Sequence, residues 1–150
     1  MVIRSLKKDE QPPWDLLLLA DPSEEMVSSY LKNSFCYVAE LDNTVVGIIV
    51  LLPKSRDIVE IMNIAVSEYM QGKGIGSKLI KHGIETAKKE GFKTVEIGTG
   101  NSSISQLALY QKAGFRIIGI DHDFFVRHYP EPIYENGIQC RDMIRLSIQI

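Results

Sequence analysis

Six consecutive residues, Gln71-Gly72-Lys73-Gly74-Ile75-Gly76, have the glycine spacing best suited to gripping an anion. Glycine admits positive φ and lets the backbone approach a ligand closely. The cluster lies between an apolar run, Ile58 to Val66, and an amphipathic run that begins at Ile75. A helix starting there turns its free N–H groups and its positive dipole end toward the loop. A phosphate, and above all a pyrophosphate, is the natural guest. Two familiar phosphate loops do not fit. A P-loop continues from glycine into Lys-Ser or Lys-Thr, and no glycine of this chain does so. The dinucleotide fingerprint Gly-x-Gly-x-x-Gly needs a third glycine, but that place falls on Ser77 counted from Gly72 and on Leu79 counted from Gly74. Glu96 lies about 20 residues beyond the glycines, as a dinucleotide fold requires. Against that, Ser67 to Met70 separate strand from glycines where the dinucleotide fold turns tightly. A tight turn that binds nothing stays open as the alternative.

The elements that must position this loop follow from periodicity. Val2 to Leu6 reads as a first strand. Pro12-Pro13 opens a helix through Ala20, and Ser23 followed by Glu24 and Glu25 starts a second, to Lys32. Phe35 to Leu41, Thr44 to Leu52 and Ile58 to Val66 form a strand meander, with Asp42-Asn43 and Pro53 to Asp57 as its turns. The third run is apolar enough to be buried on both faces. Ile75, Leu79, Ile80, Ile84 and Ala87 recur at helical spacing, and Lys88-Lys89-Glu90-Gly91 closes that helix. Thr94 to Ile97 is a strand, Ser102 to Lys112 a helix, and Phe115 to Ile120 and Met143 to Ile148 the last strands. The fold class is α/β: a mixed, mostly antiparallel central sheet with helices on both faces. Asp121 to Gln139 is a long connection, and its aromatics and prolines argue against simple disorder.

Composition narrows the function. The chain has 150 residues, 45% hydrophobic and 24% charged, which fits a single domain over 1–150 with a real core. A formal net charge of −2 and the lack of a basic block argue against a nucleic-acid partner. Cys36 and Cys140 fit no zinc motif and are too few for a disulfide framework. His122 and Asp123 lack further ligands, so no metal is expected. The N-terminus turns charged at Arg4, Lys7 and Lys8, with no signal-like apolar region, and Leu16 to Ala20 is too short to span a bilayer. A cytoplasmic protein with no membrane partner is the expectation.

Taken together, three stretches resemble the GCN5-related N-acetyltransferase (GNAT) superfamily. Gln71 to Gly76 is similar to its Gln/Arg-x-x-Gly-x-Gly/Ala loop, and Asn63-Ile64-Ala65-Val66 to the strand that leads into it. Ala108-Leu109-Tyr110-Gln111-Lys112-Ala113-Gly114-Phe115 is similar to its second motif. The likeness covers most of the chain and is firmest from Glu60 to Phe115. Gly98-Thr99-Gly100-Asn101-Ser102-Ser103 brings it nearest to bacterial members. The resemblance implies acetyl-CoA as donor, coenzyme A as product and a small-molecule or protein amine as acceptor. It implies that backbone groups of Ile64, Ala65 and Val66 pair with the pantetheine arm. The amides of Gln71, Gly72, Lys73, Gly74, Ile75, Gly76 and Ser77 would hold the pyrophosphate, and the Asn101 side chain would touch the donor. A homodimer paired through Met143 to Ile148 is a further expectation, resting on the family alone.

Acyl transfer from a thioester needs an uncharged amine, a donor for the oxyanion and support for the leaving thiolate. Glu60 matches the strand position where some family members carry a catalytic glutamate. It is also the only carboxylate in the run Ile58 to Val66, where burial would make it a better base. It acts directly or through water; a strand-end charge facing solvent is the plainer alternative. The oxyanion donor is expected to be a backbone N–H, at Val66. Tyr110 matches the family's tyrosine and can protonate the thiolate; an ordinary core aromatic is its plainer alternative. A reading of another class also stands: a non-catalytic acyl-CoA-binding sensor. The presence of Tyr110 favours the enzyme.

Overall fold

The computed structural model describes residues 1–150. The first part of the chain forms β1 (Val2–Ser5), α1 (Trp14–Ala20), α2 (Glu24–Leu31), β2 (Phe35–Leu41), β3 (Thr44–Pro53) and β4 (Ile58–Val66). Then come α3 (Ile75–Lys89), β5 (Thr94–Gly100), α4 (Ile104–Lys112), β6 (Arg116–Asp121) and α5 (Phe124–His128). A short hairpin, β7 (Tyr134–Glu135) and β8 (Ile138–Gln139), precedes β9 (Met143–Gln149). Seven strands make one sheet in the order β1-β2-β3-β4-β5-β9-β6. Its single parallel pair is β4 with β5, so the sheet is mixed and mostly antiparallel. No helix is long and apolar enough to cross a membrane.

Local chemistry sets the borders. Ser23 Oγ accepts the Met26 N–H at 3.2 Å and caps α2. Gly91, at φ 88°, stops α3 just beyond Lys88 and Lys89. The unbroken apolar run of β3 is explained by its central place. Ile48 and Val50 fill a core under α1 and α2, with Leu16, Leu17 and Val27. Ile49 and Leu51 fill a second core under α3 and α4, with Leu79, Ile80, Val95 and Leu146.

β4 departs from simple alternation at one place. Val50 pairs with Asn63 and Leu51 with Ile61, so Met62 is an extra residue, a β-bulge. Val59 and Ile61 therefore serve the α3 core, while Met62 packs with Ala65 in the α1 core. The bulge coincides with the point where β4 leaves β5. Their pairing runs only from Ile58–Thr94 to Ile61–Ile97. Beyond it the two strands part.

Two expectations are corrected. The segment 121–139 is not a plain connection, because it holds α5 and the β7–β8 hairpin. Asn136 and Gly137, at φ 56° and 72°, make the hairpin turn, and Asn-Gly is the pair such turns prefer. The last strand cannot pair across a homodimer. β9 lies between β5 and β6, and both of its edges are filled.

Candidate active site

The gap between β4 and β5 is where backbone becomes free. Ser67 N–H donates to Val46 O of β3 at 2.8 Å. Amides along a strand alternate in direction, so the Val66 N–H turns the other way, into the gap. Gln71 Nε2 donates to Val66 O at 3.1 Å and fastens the loop to the strand end. Ile64 is half-buried and packs on the α3 core. Ala65 is 8% exposed and pairs with Ile48 of β3, so it lines the α1 core, not the gap.

After one 3-10 turn, Glu68–Met70, the glycine loop opens α3. Gly72 and Gly74 have φ of 78° and 81°, and Gly74 is the helix N-cap. The amides of Gly72, Lys73, Gly74, Ile75, Gly76 and Ser77 donate to nothing in the protein; the first α3 bond is Lys78 N–H to Gly74 O, 3.2 Å. A Cβ on Gly72 or Gly74 would meet no atom within 4 Å, so the space over the loop is open. The Ile75 side chain is buried in the α3 core and offers a ligand only its amide. Lys73 and Ser77 are exposed. A row of free amides at the start of a 15-residue helix fits a pyrophosphate.

Tyr110 lies on α4. Its ring is 4% exposed, in the α3 core, tilted against Phe115 at 6.3 Å. Its hydroxyl makes no hydrogen bond within the protein. Burial, and then the charge of Glu135, push the phenol well above its ordinary pKa and keep it protonated. Glu135 itself accepts from Ser103 Oγ at 2.7 Å, at the start of α4.

Glu60 sits one residue before the last paired position of β4, opposite Leu52 and beside Glu96. Its side chain is 12% exposed, and Lys54 Nζ stands 3.4 Å from Oε1. The expected lone carboxylate among apolar neighbours is therefore an ion pair. Directly paired residues share a sheet face, and Leu52 packs in the α1 core. Glu60 thus lies on the α1 face and Tyr110 on the α3 face.

The Asn101 side chain is largely engaged. Its Oδ1 accepts from the N–H of Arg141 (2.8 Å) and Asp142 (3.0 Å), and its Nδ2 donates to Gln139 O at 3.1 Å. It anchors the segment entering β9 and keeps one N–H for a ligand. Gly98 and Gly100 are required by the same packing, because a Cβ would collide with Met143 Sδ and Cys140 Sγ.

A second set of residues is joined across long separations in the sequence. Asn63 Nδ2 donates to Leu17 O (3.0 Å) and to Tyr30 Oη (3.1 Å). Tyr30 Oη donates to Asp21 Oδ2 at 3.4 Å, and Tyr129 Oη to Asp21 Oδ1 at 2.8 Å. Burial raises both phenols, and for Tyr129 the bond to Asp21 adds to it. The chain of bonds ties β4, α2 and the end of α1 to the residue after α5. Asp121 and Asp123 are held by Arg127 and Arg141 at 2.9 and 2.8 Å.

A mixed sheet that parts between two parallel strands, with free amides at the helix that follows, defines an acyl-CoA-dependent N-acyltransferase fold. Residues 3–115 match the model of the Acetyltransferase (GNAT) family. The chain belongs to this family. It is 58% identical over 137 residues to the uncharacterized N-acetyltransferase YvbK of Bacillus subtilis (strain 168), covering 91% of this chain and 88% of that one. A GNAT acetyltransferase of Elizabethkingia anophelis, solved with acetyl-CoA bound, superposes with a TM-score of 0.98 at 48% identity, over 99% of this chain and 97% of that one. A Bacillus subtilis acetyltransferase in complex with CoA gives 0.92 at 54%, over 99% and 97%. The chain is an acetyl-CoA-dependent N-acetyltransferase, so the enzyme reading prevails over the sensor.

Proposed function

We propose that this enzyme moves the acetyl group to a primary amine by direct attack on the thioester, in the cytoplasm, where its free thiols Cys36 and Cys140 stay reduced. One observation carries the reading: Glu60 and Tyr110 stand on opposite faces of the sheet. Attack and departure at a carbonyl need a proton acceptor on one side and a hydrogen-bond donor on the other. Bound acetyl-CoA supplies a thioester already activated toward amines.

Glu60 takes the proton of the attacking amine, directly or through water, on the α1 face. The Val66 N–H, turned into the gap, donates to the developing oxyanion. Tyr110 donates to the developing thiolate. A phenol held above its usual pKa is a weaker acid than a thiol, so its contribution is chiefly a hydrogen bond. Ile64 and Val66 hold the pantetheine arm. Gln71 keeps the loop docked while the amides from Gly72 to Ser77 hold the pyrophosphate. Asn101 keeps the 139–142 segment in place beside the donor.

The test is release of free CoA thiol from acetyl-CoA with a panel of primary amines. Glu60→Gln is expected to slow turnover while acetyl-CoA binds as before. Full turnover by that variant on every accepted amine would remove Glu60 from the chemistry.

A further inference from the structure

The two edges of the sheet are built differently. β1 has only four residues, and its Arg4 is tied to Glu10 at 2.9 Å and Glu40 at 3.0 Å. Short edges carrying charges resist pairing with another chain. β6 has six residues and no charge or proline between its end residues, Arg116 and Asp121. Its Ile117, Ile118 and Ile120 are 51%, 56% and 50% exposed. β9 fills one side of β6, and no strand fills the other.

We propose that β6 pairs antiparallel with β6 of a second copy of this chain, joining two sheets across a two-fold axis. The strand's own sequence sets the register. With the axis between Ile118 and Gly119, Arg116 faces Asp121 of the partner subunit, and Ile117 faces Ile120 of the partner subunit. The faces agree with this arrangement. Arg116 and Asp121 pair with Ser147 and Met143, which share one face of β9. Ile117 and Ile120 pair with Leu146 and Ile144, which share the other. An axis normal to the sheet therefore sets ion pairs on one face and isoleucine against isoleucine on the opposite face.

The charges suit the role. Arg116 is exposed and has no ion pair in its own chain. Asp121 holds Arg127 and Arg145 at 2.9 and 3.7 Å, and the second copy adds a third cation. The bulge at Ile118 falls on the axis and leaves the outer positions regular. A self-complementary contact of this kind occurs twice about its axis and closes as a dimer.

Sedimentation equilibrium on the purified protein, from micromolar to millimolar concentration, tests this. A reversible dimer is expected. Ile118→Lys, which sets a charge on the edge, should raise its dissociation constant by at least about tenfold. Arg116→Glu should act in the same direction, and Arg116→Lys should restore association. Circular dichroism and acetyl-CoA affinity should stay unchanged in all three variants. Should Ile118→Lys misfold, the Arg116 pair, at an exposed strand end, decides alone. A monomer throughout the range would overturn the proposal. So would a dimer that Arg116→Glu leaves equally tight. Neither result touches the acetyl-transfer reading, which rests on the other side of β5.

Discussion

The glycine-loop side of this enzyme and the hydrogen-bonded network around Asp21 are held together by different physics. The side proposed to hold the donor runs almost continuously from Ile64 to Lys89, and it offers free backbone amides and two glycines in the left-handed region. The network joins Asp21, Tyr30, Asn63 and Tyr129, and one of its bonds spans 108 positions of sequence. The first is local and built on backbone; the second is a side-chain network closed only by the whole fold. Substitutions on the two sides should therefore fail in different measurements.

The largest effect is expected at Gly74. A β-branched residue there would be forced into positive φ and would push its side chain over the free amides. Gly74→Val should weaken acetyl-CoA by roughly a hundredfold, about 2.7 kcal/mol by calorimetry, with the fold kept. Affinity within a few-fold of the parent would break the contrast, since the loop would then not hold the donor. Next comes Tyr110→Phe. The hydroxyl has no partner inside the protein, so its loss leaves packing intact. Turnover should fall roughly tenfold to a hundredfold, with acetyl-CoA affinity unchanged. Smaller again is Tyr129→Phe, which removes the 2.8 Å bond to Asp21. A hydrogen bond to a charged group contributes about 1.5–3 kcal/mol. Melting temperature should fall and amide exchange across 121–139 should quicken, while donor affinity holds. A change in donor affinity instead would merge the two sides into one.

The same division decides what the sequence could reveal. The glycine loop, β4 and α3 were legible because their signals are short-range: glycine spacing, an apolar run and a helical stripe from Ile75 to Ala87. The Met62 bulge was not, since it appears only against the register of β3. Lys54 beside Glu60 was hidden for the same reason, as a turn brings it back to the strand. Asn63 stood out as a polar residue in an apolar run, but its partners lie 33 and 46 positions away. Asn136-Gly137 is a hairpin signature in plain view, but the strands it joins are only two residues each, too short to carry a strand pattern of their own.

That hairpin gives the smallest prediction and the cleanest control. Gly137 resembles Gly74 in φ and in the open space a Cβ would find. Its φ is 72° against 81°, and a Cβ at either site meets nothing within 4 Å. Alanine should therefore cost the same backbone strain at both, about 1–2 kcal/mol. By that strain alone, melting should fall by about 2–4 °C per kcal/mol in each variant. Only the surroundings differ. Gly74 caps the helix whose amides face the donor, while Gly137 turns a hairpin whose Glu135 side chain binds Ser103. Gly74→Ala should thus lose acetyl-CoA affinity in addition to stability, and Gly137→Ala should lose stability alone. Equal losses of affinity would mean that the strain spreads through the sheet and that the donor side is not local after all.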